Sequence, residues 1–115
     1  MFVYADNAAT TCVSKTALDA MMPYLTTTYG NPSSLYSFAQ NAKEALEEAR
    51  QTIADILGAE AREIYFTSGG SEADNQAIIS MAKLGKIKGN KKHIISTKFE
   101  HHAVLHTLNK LEKEG

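Results

Sequence analysis

The feature of this sequence that most constrains its fold is a compact apolar run, 64–67, that stops at Ser68-Gly69-Gly70 and leads into a helical pattern. The run is rich in β-branched and aromatic residues, which are typical of a strand. A second such run, 93–97, is also followed by apolar residues at helical spacing. Strands that alternate with helices indicate right-handed crossovers and a parallel sheet. The sequence therefore predicts an α/β fold, part of a mostly parallel sheet flanked by helices.

Two strands are too few for a parallel sheet, which normally buries both faces and contains more strands. We therefore expect further chain or a partner to supply the rest of the sheet. At 115 residues the chain is a single region, one domain or a piece of one. It divides into an irregular N-terminal segment, 1–13, and a region, 14–115, that contains every predicted helix and strand.

Four helices are predicted from the spacing of apolar residues. The first has Ser14 as its N-cap and ends or kinks near Pro23. The second opens with Ser37 and Gln40 at capping-box spacing and ends at Gly58, a residue that suits a helix C-terminus. The predicted ranges are 14–25, 37–57, 71–84 with Gly85 as the stop, and the segment from Glu100 to Gly115.

Composition excludes several classes of protein. Hydrophobic residues make up 43% and charged residues 22%, so neither intrinsic disorder nor a disulfide-stapled scaffold is expected. A net charge of -1 gives no broad basic field, so we expect no nucleic-acid or membrane partner. The single cysteine, Cys12, cannot form an intramolecular disulfide, no stretch is apolar for long enough to span a bilayer, and no secretory signal is recognisable. A cytoplasmic location is the resulting expectation.

The strongest local signal for chemistry is the segment 67–72, Thr-Ser-Gly-Gly-Ser-Glu, between a predicted strand and a predicted helix. Free N–H groups of a first helical turn and the helix dipole favour anions, and glycines let a phosphate approach the backbone. The hydroxyl of Ser71 could add a further contact. The segment matches neither the GxxxxGK[ST] nor the GxGxxG fingerprint, and a ligand-free turn remains the alternative.

A second signal, Glu100-His101-His102, follows the second predicted strand, where α/β folds place ligands. Histidine at such a position can stack, hydrogen-bond or carry protons, and packing at a helix start is the alternative. His102 and His106 are four residues apart, but no third ligand is evident, so no metal site is predicted. Cys12 has no lysine or histidine arranged to activate it and is interpreted as a bystander thiol.

Four segments, taken together and in this order, resemble the N-terminal part of pyridoxal phosphate-dependent cysteine desulfurases of the NifS/IscS type, in the class V aminotransferase group. The resemblance implies a fold-type I homodimer whose large domain begins within 14–115, with 1–13 near the active site. It implies an enzyme that takes sulfur from L-cysteine, leaving alanine and an enzyme persulfide, and passes it to iron-sulfur cluster assembly or thiolation. The segments are 4–11 (YADNAATT), 30–34 (GNPSS), 66–75 (FTSGGSEADN) and 100–105 (EHHAVL).

The resemblance also implies roles for individual residues. The phosphate of pyridoxal 5'-phosphate would be bound at Gly70 and Ser71, where the anion argument also points. His101 matches the family's histidine that stacks on the pyridine ring and assists proton transfer, which makes it the candidate catalytic residue. The segment 7–11 and the turn at Asn31 would lie near the active site or a dimer contact.

The chain departs from the family pattern in several places. Tyr36 and Ala39 stand where the family has a histidine and a glycine, and none of the ten lysines has the context of the Schiff-base lysine. The sulfur-accepting cysteine is also missing, since Cys12 occupies a position where relatives often have proline. We therefore expect this chain alone to be a truncated, inactive portion that binds pyridoxal phosphate weakly or not at all.

Two alternatives stay open from the sequence. Another class V enzyme, such as a selenocysteine lyase or an aminotransferase, would share these motifs. A truncated, non-catalytic protein could instead self-associate or bind a partner through the uncovered edges of an incomplete sheet.

Overall fold

The computed structural model describes every residue, Met1–Gly115. It contains four α-helices and two short 3-10 turns, and it divides into two compact units, Met1–Ile64 and Tyr65–Gly115. The four predicted helices are confirmed, with changes at their ends. Their bounds are α1 Lys15–Thr26, α2 Gln40–Leu57, α3 Gly70–Gly89 and α4 His102–Glu114.

Helix α1 begins as the sequence predicts. The Ser14 hydroxyl accepts a hydrogen bond from the Ala17 N–H at 3.2 Å, which satisfies one of the unpaired amides of the first turn. Pro23 lies inside the helix, which continues to Thr26 rather than ending at the proline. The carbonyl of Pro23 then accepts the N–H groups of Thr27 at 2.9 Å and Thr28 at 2.7 Å, and these bonds close the last turn.

Helix α2 ends as predicted but begins differently. Gly58 adopts the left-handed conformation, φ 66 and ψ 32, that commonly terminates a helix. The expected capping box of Ser37 and Gln40 is wrong, because Ser37 starts a 3-10 turn instead. The N–H of Gln40 bonds to the carbonyl of Ser37, and the Gln40 side chain donates to Glu44 at 3.2 Å.

The turn before α2 is held by close backbone packing. Gly30 is buried, and a Cβ atom at this position would lie 2.7 Å from both the Ala39 Cα and the Phe38 carbonyl oxygen. The rings of Tyr29 and Phe38 meet edge to face with centroids 5.3 Å apart. This approach of two backbone segments requires glycine at position 30.

Helix α3 is longer than the sequence predicts. It passes through Gly85, the expected stop, and ends at Asn90, which has φ 51 and ψ 36. The chain then turns back so that the Lys91 N–H bonds to the Gly85 carbonyl at 3.0 Å. A Cβ on Gly85 would lie 3.1 Å from the Lys91 carbonyl oxygen. Gly85 therefore permits a close return of the backbone and does not end the helix.

The two predicted strands are not formed. The segments 64–67 and 93–97 are non-helical, and no strand is assigned in either, so this chain contains no sheet. A strand exists through the ladder of hydrogen bonds it makes with a neighbour, and neither segment meets one. Most of their side chains remain exposed, as at Tyr65 (70%) and Ile95 (88%), while Ile64 and Thr67 are half-buried.

The helices cover little of their own apolar surface. The buried apolar residues are Ala39 and Ala54, and no large side chain is fully buried. Leu35, Ile56 and Ile87 are each more than three-quarters exposed. Apolar faces of this kind are normally covered in a folded protein, so this chain leaves them available for further packing. None of the helices is both long enough and apolar enough to cross a bilayer.

Candidate functional site

The start of α3 leaves part of its backbone unpaired. Gly69 is the N-cap in an extended conformation, and its carbonyl accepts the N–H groups of Glu72 at 3.1 Å and Ala73 at 3.2 Å. The N–H groups of Gly70 and Ser71 precede the first helical bonds, as at every helix start, and no acceptor within the chain takes them. Two adjacent donors at the positive end of a 20-residue helix are therefore open to an anion.

The space around these donors is also open. A Cβ built on Gly69 or Gly70 would meet no atom within 4 Å. Ser71 is exposed and lines a depression of about 560 Å³, within the size range of small-molecule sites. The remaining lining residues are Ser68, Glu72, Asn75, Gln76, Ile79 and Ser80.

The only carboxylate in the first turn of α3 is held on the side of Ser68. One oxygen of Glu72 accepts both the Ser68 N–H and the Ser68 hydroxyl, each at 2.7 Å. These two bonds, the side-chain bond first, lower the pKa of Glu72 from its ordinary value. They stabilise the charged carboxylate at the helix N-terminus.

At the start of α4 a side chain caps one of the free backbone N–H groups. His101 is the N-cap, and its Nδ1 accepts a hydrogen bond from the Ala103 N–H at 3.1 Å. Because Nδ1 is the acceptor, a neutral ring carries its proton on Nε2. His101 is exposed.

The rings of His102 and His106 stack with centroids 5.4 Å apart. No group of three or more histidine, cysteine, aspartate or glutamate residues comes together in this chain in a way that could hold a metal ion.

An unpredicted hydrogen-bond network joins the starts of α3 and α4. The side-chain amide of Asn75 donates to the Ser71 carbonyl at 2.7 Å and to the Ala103 carbonyl at 3.4 Å. Its oxygen accepts the hydroxyl of Thr107, which also lies 2.9 Å from the Ala103 carbonyl. Thr107 is 4% exposed and is the buried polar side chain of the molecule. The structure therefore connects the turn that carries Ser71 to the turn that carries His101.

Sequence reasoning missed Asn75 and Thr107 as functional candidates. An asparagine in the middle of a helix is a weak signal, because asparagine favours caps and turns over helix interiors. Its partner is 32 residues away, and no local pattern connects the two.

The other predicted site segments lie in the unit Met1–Ile64. The Ala9 N–H bonds to the Asp6 carbonyl at 3.2 Å, which forms a turn within the predicted irregular segment, 1–13. The side chain of Asn31 accepts the Ser33 N–H at 3.0 Å and stabilises the turn after Gly30. Cys12 is exposed. Nearness of these segments to Gly70, Ser71 and His101 stays a prediction.

A larger cavity in the second unit contains none of the predicted site residues. It measures about 580 Å³ and lies between the C-terminal parts of α3 and α4. Four lysines line it, Lys83, Lys86, Lys91 and Lys92.

Comparison with known proteins agrees with the sequence resemblance. Two curated relatives named cysteine desulfurase IscS, from Clostridium botulinum and Methanosarcina thermophila, are 55% and 54% identical over 113 residues. The alignments cover 98% of this chain and 28% of each relative. The chain thus spans under a third of the length of these relatives.

Two solved structures have the same fold over nearly the whole chain. A NifS-like protein superposes with a TM-score of 0.90 at 37% identity, covering 100% of this chain and 31% of that one. A structure described as SspA in complex with cysteine gives 0.86 at 41% identity, covering 97% and 32%. The sequence model of the class-V aminotransferases matches residues 3–115. This chain belongs to the class-V aminotransferase family.

Proposed function

We propose that these residues form the N-terminal part of a pyridoxal phosphate-dependent cysteine desulfurase. Such an enzyme takes sulfur from L-cysteine and leaves alanine and an enzyme persulfide. The observation that carries the proposal is the open backbone at Gly70 and Ser71, at the position where the resemblance puts the cofactor phosphate. The names of the relatives and the cysteine complex of a structural neighbour support the reaction and the substrate.

The residues at the start of α3 fit a phosphate group. Gly70 and Ser71 offer two N–H donors that have no acceptor in the chain, and the Ser71 hydroxyl is a third donor. The absence of any atom within 4 Å of a Cβ on Gly70 leaves room for the oxygens. Two donors of Ser68 bind the Glu72 carboxylate and hold it on the Ser68 side of the turn.

His101 fits the ring of the cofactor. Its flat, exposed imidazole can stack on a pyridine ring, and the bond from the Ala103 N–H fixes its orientation and its tautomer. A proton held or moved by His101 would therefore be carried on Nε2. When bound, pyridoxal phosphate supplies an electron sink for the electron pair released at the substrate. The chain's own residues bind the phosphate, orient the ring and carry that proton.

The chain supplies these contacts without the covalent groups of the reaction. None of its ten lysines has the family's Schiff-base context, and Cys12 does not match the family's sulfur-accepting cysteine. We assign to residues 1–115 the phosphate and ring contacts, and by themselves no turnover of L-cysteine.

Several finer features belong to the same proposal. The segments 64–67 and 93–97 would be neighbouring strands of a mostly parallel sheet, which their exposed apolar side chains and the NifS-like neighbour support. The assembly would be a cytoplasmic homodimer. Its persulfide sulfur would go to an acceptor protein, such as an iron-sulfur scaffold or a thiolation enzyme.

A hybrid enzyme tests the proposed function. In it, residues 1–115 replace the matching N-terminal residues of the Clostridium botulinum relative, which keeps the rest of its own chain. We expect the hybrid to bind pyridoxal phosphate, seen as a visible absorbance band lost on borohydride reduction. We also expect it to release alanine from L-cysteine, while the isolated 115-residue chain does neither.

Two results would contradict the proposal. One is a folded hybrid that binds no cofactor. The other is a hybrid that binds cofactor but is active only on selenocysteine or as an aminotransferase, which would assign the chain to another class V activity. The relative's unmodified chain is the positive control for both measurements.

Self-association is a second candidate function. It is favoured by the large apolar side chains that stay exposed, among them Leu35, Ile56 and Ile95. Sedimentation velocity of the 115-residue chain tests it: stable dimers or larger species support self-association, and a monomer at high concentration contradicts it.

A further inference from the structure

We propose that Asn75 is a positioning residue that holds the phosphate-binding turn and His101 in a fixed relation to each other. This inference rests on the proposed function. Its partners are the Ser71 and Ala103 carbonyls and the Thr107 hydroxyl. The Ser71 carbonyl belongs to a candidate phosphate-binding residue at the start of α3. Ala103 donates its N–H to His101, the candidate ring contact at the start of α4.

The amide of Asn75 uses its hydrogen-bonding capacity across the two helices. A side-chain amide has two N–H donors and one oxygen acceptor. The nitrogen of Asn75 reaches the Ser71 carbonyl at 2.7 Å on α3 and the Ala103 carbonyl at 3.4 Å on α4. The oxygen accepts from Thr107. A single planar group is thus bonded to both helices at once, which restricts how α4 can slide or turn against α3.

Burial makes this arrangement specific. Thr107 is 4% exposed, so its hydroxyl has little access to water, and an unmatched polar group at this place is unfavourable. A hydrophobic contact between the helices is non-directional, so it specifies their register less strictly than a hydrogen bond does. The amide and hydroxyl are directional, and they are satisfied in one register of the two helices.

The same bonds continue to the two functional groups. Ser71 accepts from Asn75 through its carbonyl, and its N–H and hydroxyl are the proposed donors to the phosphate. Ala103 accepts through its carbonyl, while its N–H donates to the capping Nδ1 of His101 at 3.1 Å. A change at Asn75 therefore alters the spacing between the phosphate site and the imidazole, with neither of them substituted.

The experiment compares four variants of the hybrid enzyme. Asn75→Ala removes the amide, and Thr107→Val removes the hydroxyl at equal shape. Thr107→Ser keeps the hydroxyl and is the conservative rescue. Asn109→Ala is the matched control, since Asn109 is an exposed asparagine of α4 that makes no hydrogen bond to α3.

Two readouts separate positioning from simple stability. The first is the dissociation constant of pyridoxal phosphate, measured under conditions where every variant is folded by circular dichroism. The second is the visible circular dichroism of the cofactor at saturation, which reports how the bound ring is held. We expect Asn75→Ala and Thr107→Val to weaken binding about tenfold and to lose at least half of the saturated signal. Thr107→Ser and Asn109→Ala should stay within twofold in binding and keep that signal.

The outcomes distinguish this inference from the proposed function. Unchanged binding and signal in Asn75→Ala would overturn the inference while the proposed function stands. Equal losses in Thr107→Val and Thr107→Ser would also overturn it, because shape rather than the hydroxyl would then be responsible. If the unsubstituted hybrid binds no cofactor, the proposed function fails. The network is then tested in the 115-residue chain, where Asn75→Ala should speed Ala103 amide exchange about tenfold, and an unchanged rate would overturn it.

Discussion

Two glycine-containing turns of this molecule, at Gly30 and at Gly69-Gly70, use the residue for opposite reasons. At Gly30 the backbone of Phe38 and Ala39 approaches so closely that a Cβ would lie 2.7 Å from it. At Gly69 and Gly70 a Cβ would meet nothing within 4 Å. The first turn is closed on its own chain and serves the fold. The second is open toward solvent, at the place proposed for the cofactor phosphate.

This difference teaches how to interpret glycine in a sequence. Both turns consist of small, polar residues, and both belong to the segments that carry the family resemblance. Only the atoms that surround each Cα distinguish a glycine that close packing requires from a glycine that has open space beside it. Substitutions at these positions should therefore have different consequences.

The largest effect is expected for Gly30→Ala. The added methyl group collides with backbone atoms rather than with a flexible side chain, so we expect a loss of about 2–3 kcal/mol in the free energy of unfolding. Urea denaturation followed by circular dichroism measures it. Gly70→Ala is the matched control and should be neutral or slightly stabilising, because an alanine fits a first helical turn. Equal free energies of unfolding for the two variants would mean that backbone atoms do not crowd position 30.

The next effect concerns the open turn. Gly70 is the first residue of α3, a position that proline tolerates well, and the extended Gly69 before it is compatible with proline. Gly70→Pro therefore removes one N–H donor and keeps the helix. We expect about a 30-fold weaker binding of pyridoxal phosphate in the hybrid enzyme, roughly 2 kcal/mol for a charged hydrogen bond. Gly70→Ala keeps the donor and adds only a methyl group, so it should bind more tightly than Gly70→Pro, and equal binding by both variants would show that the Gly70 N–H does not contact the phosphate.

A third prediction concerns His101, whose side chain caps the start of α4. His101→Ala removes both the cap and the ring, and it should destabilise α4 by about 1 kcal/mol. Asparagine is a good N-cap, so His101→Asn should restore the stability of α4 but not the ring. Amide exchange in α4 measures the cap, and cofactor affinity of the hybrid measures the ring. Full recovery of affinity in the asparagine variant would show that the imidazole does not contact the cofactor.

The smallest effect concerns the carboxylate beside the open turn. The bonds from Ser68 lower the pKa of Glu72, so the stability contributed by this pair is present above the ordinary carboxyl pKa and is lost as pH falls through the lowered value. The amide chemical shift of Ser68, followed by NMR across the acidic range, should report this titration. Glu72→Gln should abolish it. A midpoint at or above the ordinary glutamate pKa would contradict the arrangement.

How far the fold follows from the sequence depends on the range of the interaction. Ser14 and Gly58 were predicted correctly as helix ends, because each acts on backbone groups within a few residues. Ser37 and Gly85 were predicted wrongly. Backbone hydrogen bonds that the side-chain pattern does not reveal decided both, since the Gln40 N–H bonds to Ser37 and the Lys91 N–H bonds to Gly85. The two predicted strands were not formed, because a strand needs a partner that local sequence does not supply.

In the candidate site too, some features follow from local sequence and others only from the packing of distant residues. The sequence by itself identified Gly70 and Ser71 as candidate phosphate contacts and His101 as a candidate ring contact. Each can be recognised from residues adjacent in the chain, without knowledge of the rest of the fold. Only the tertiary structure decided that Asn75 joins these two places through Ala103 and Thr107. The amide and the hydroxyl are 32 residues apart in the chain, and they meet because two helices pack side by side. Directional bonds between distant residues follow from that packing, and no pattern within either helix specifies them.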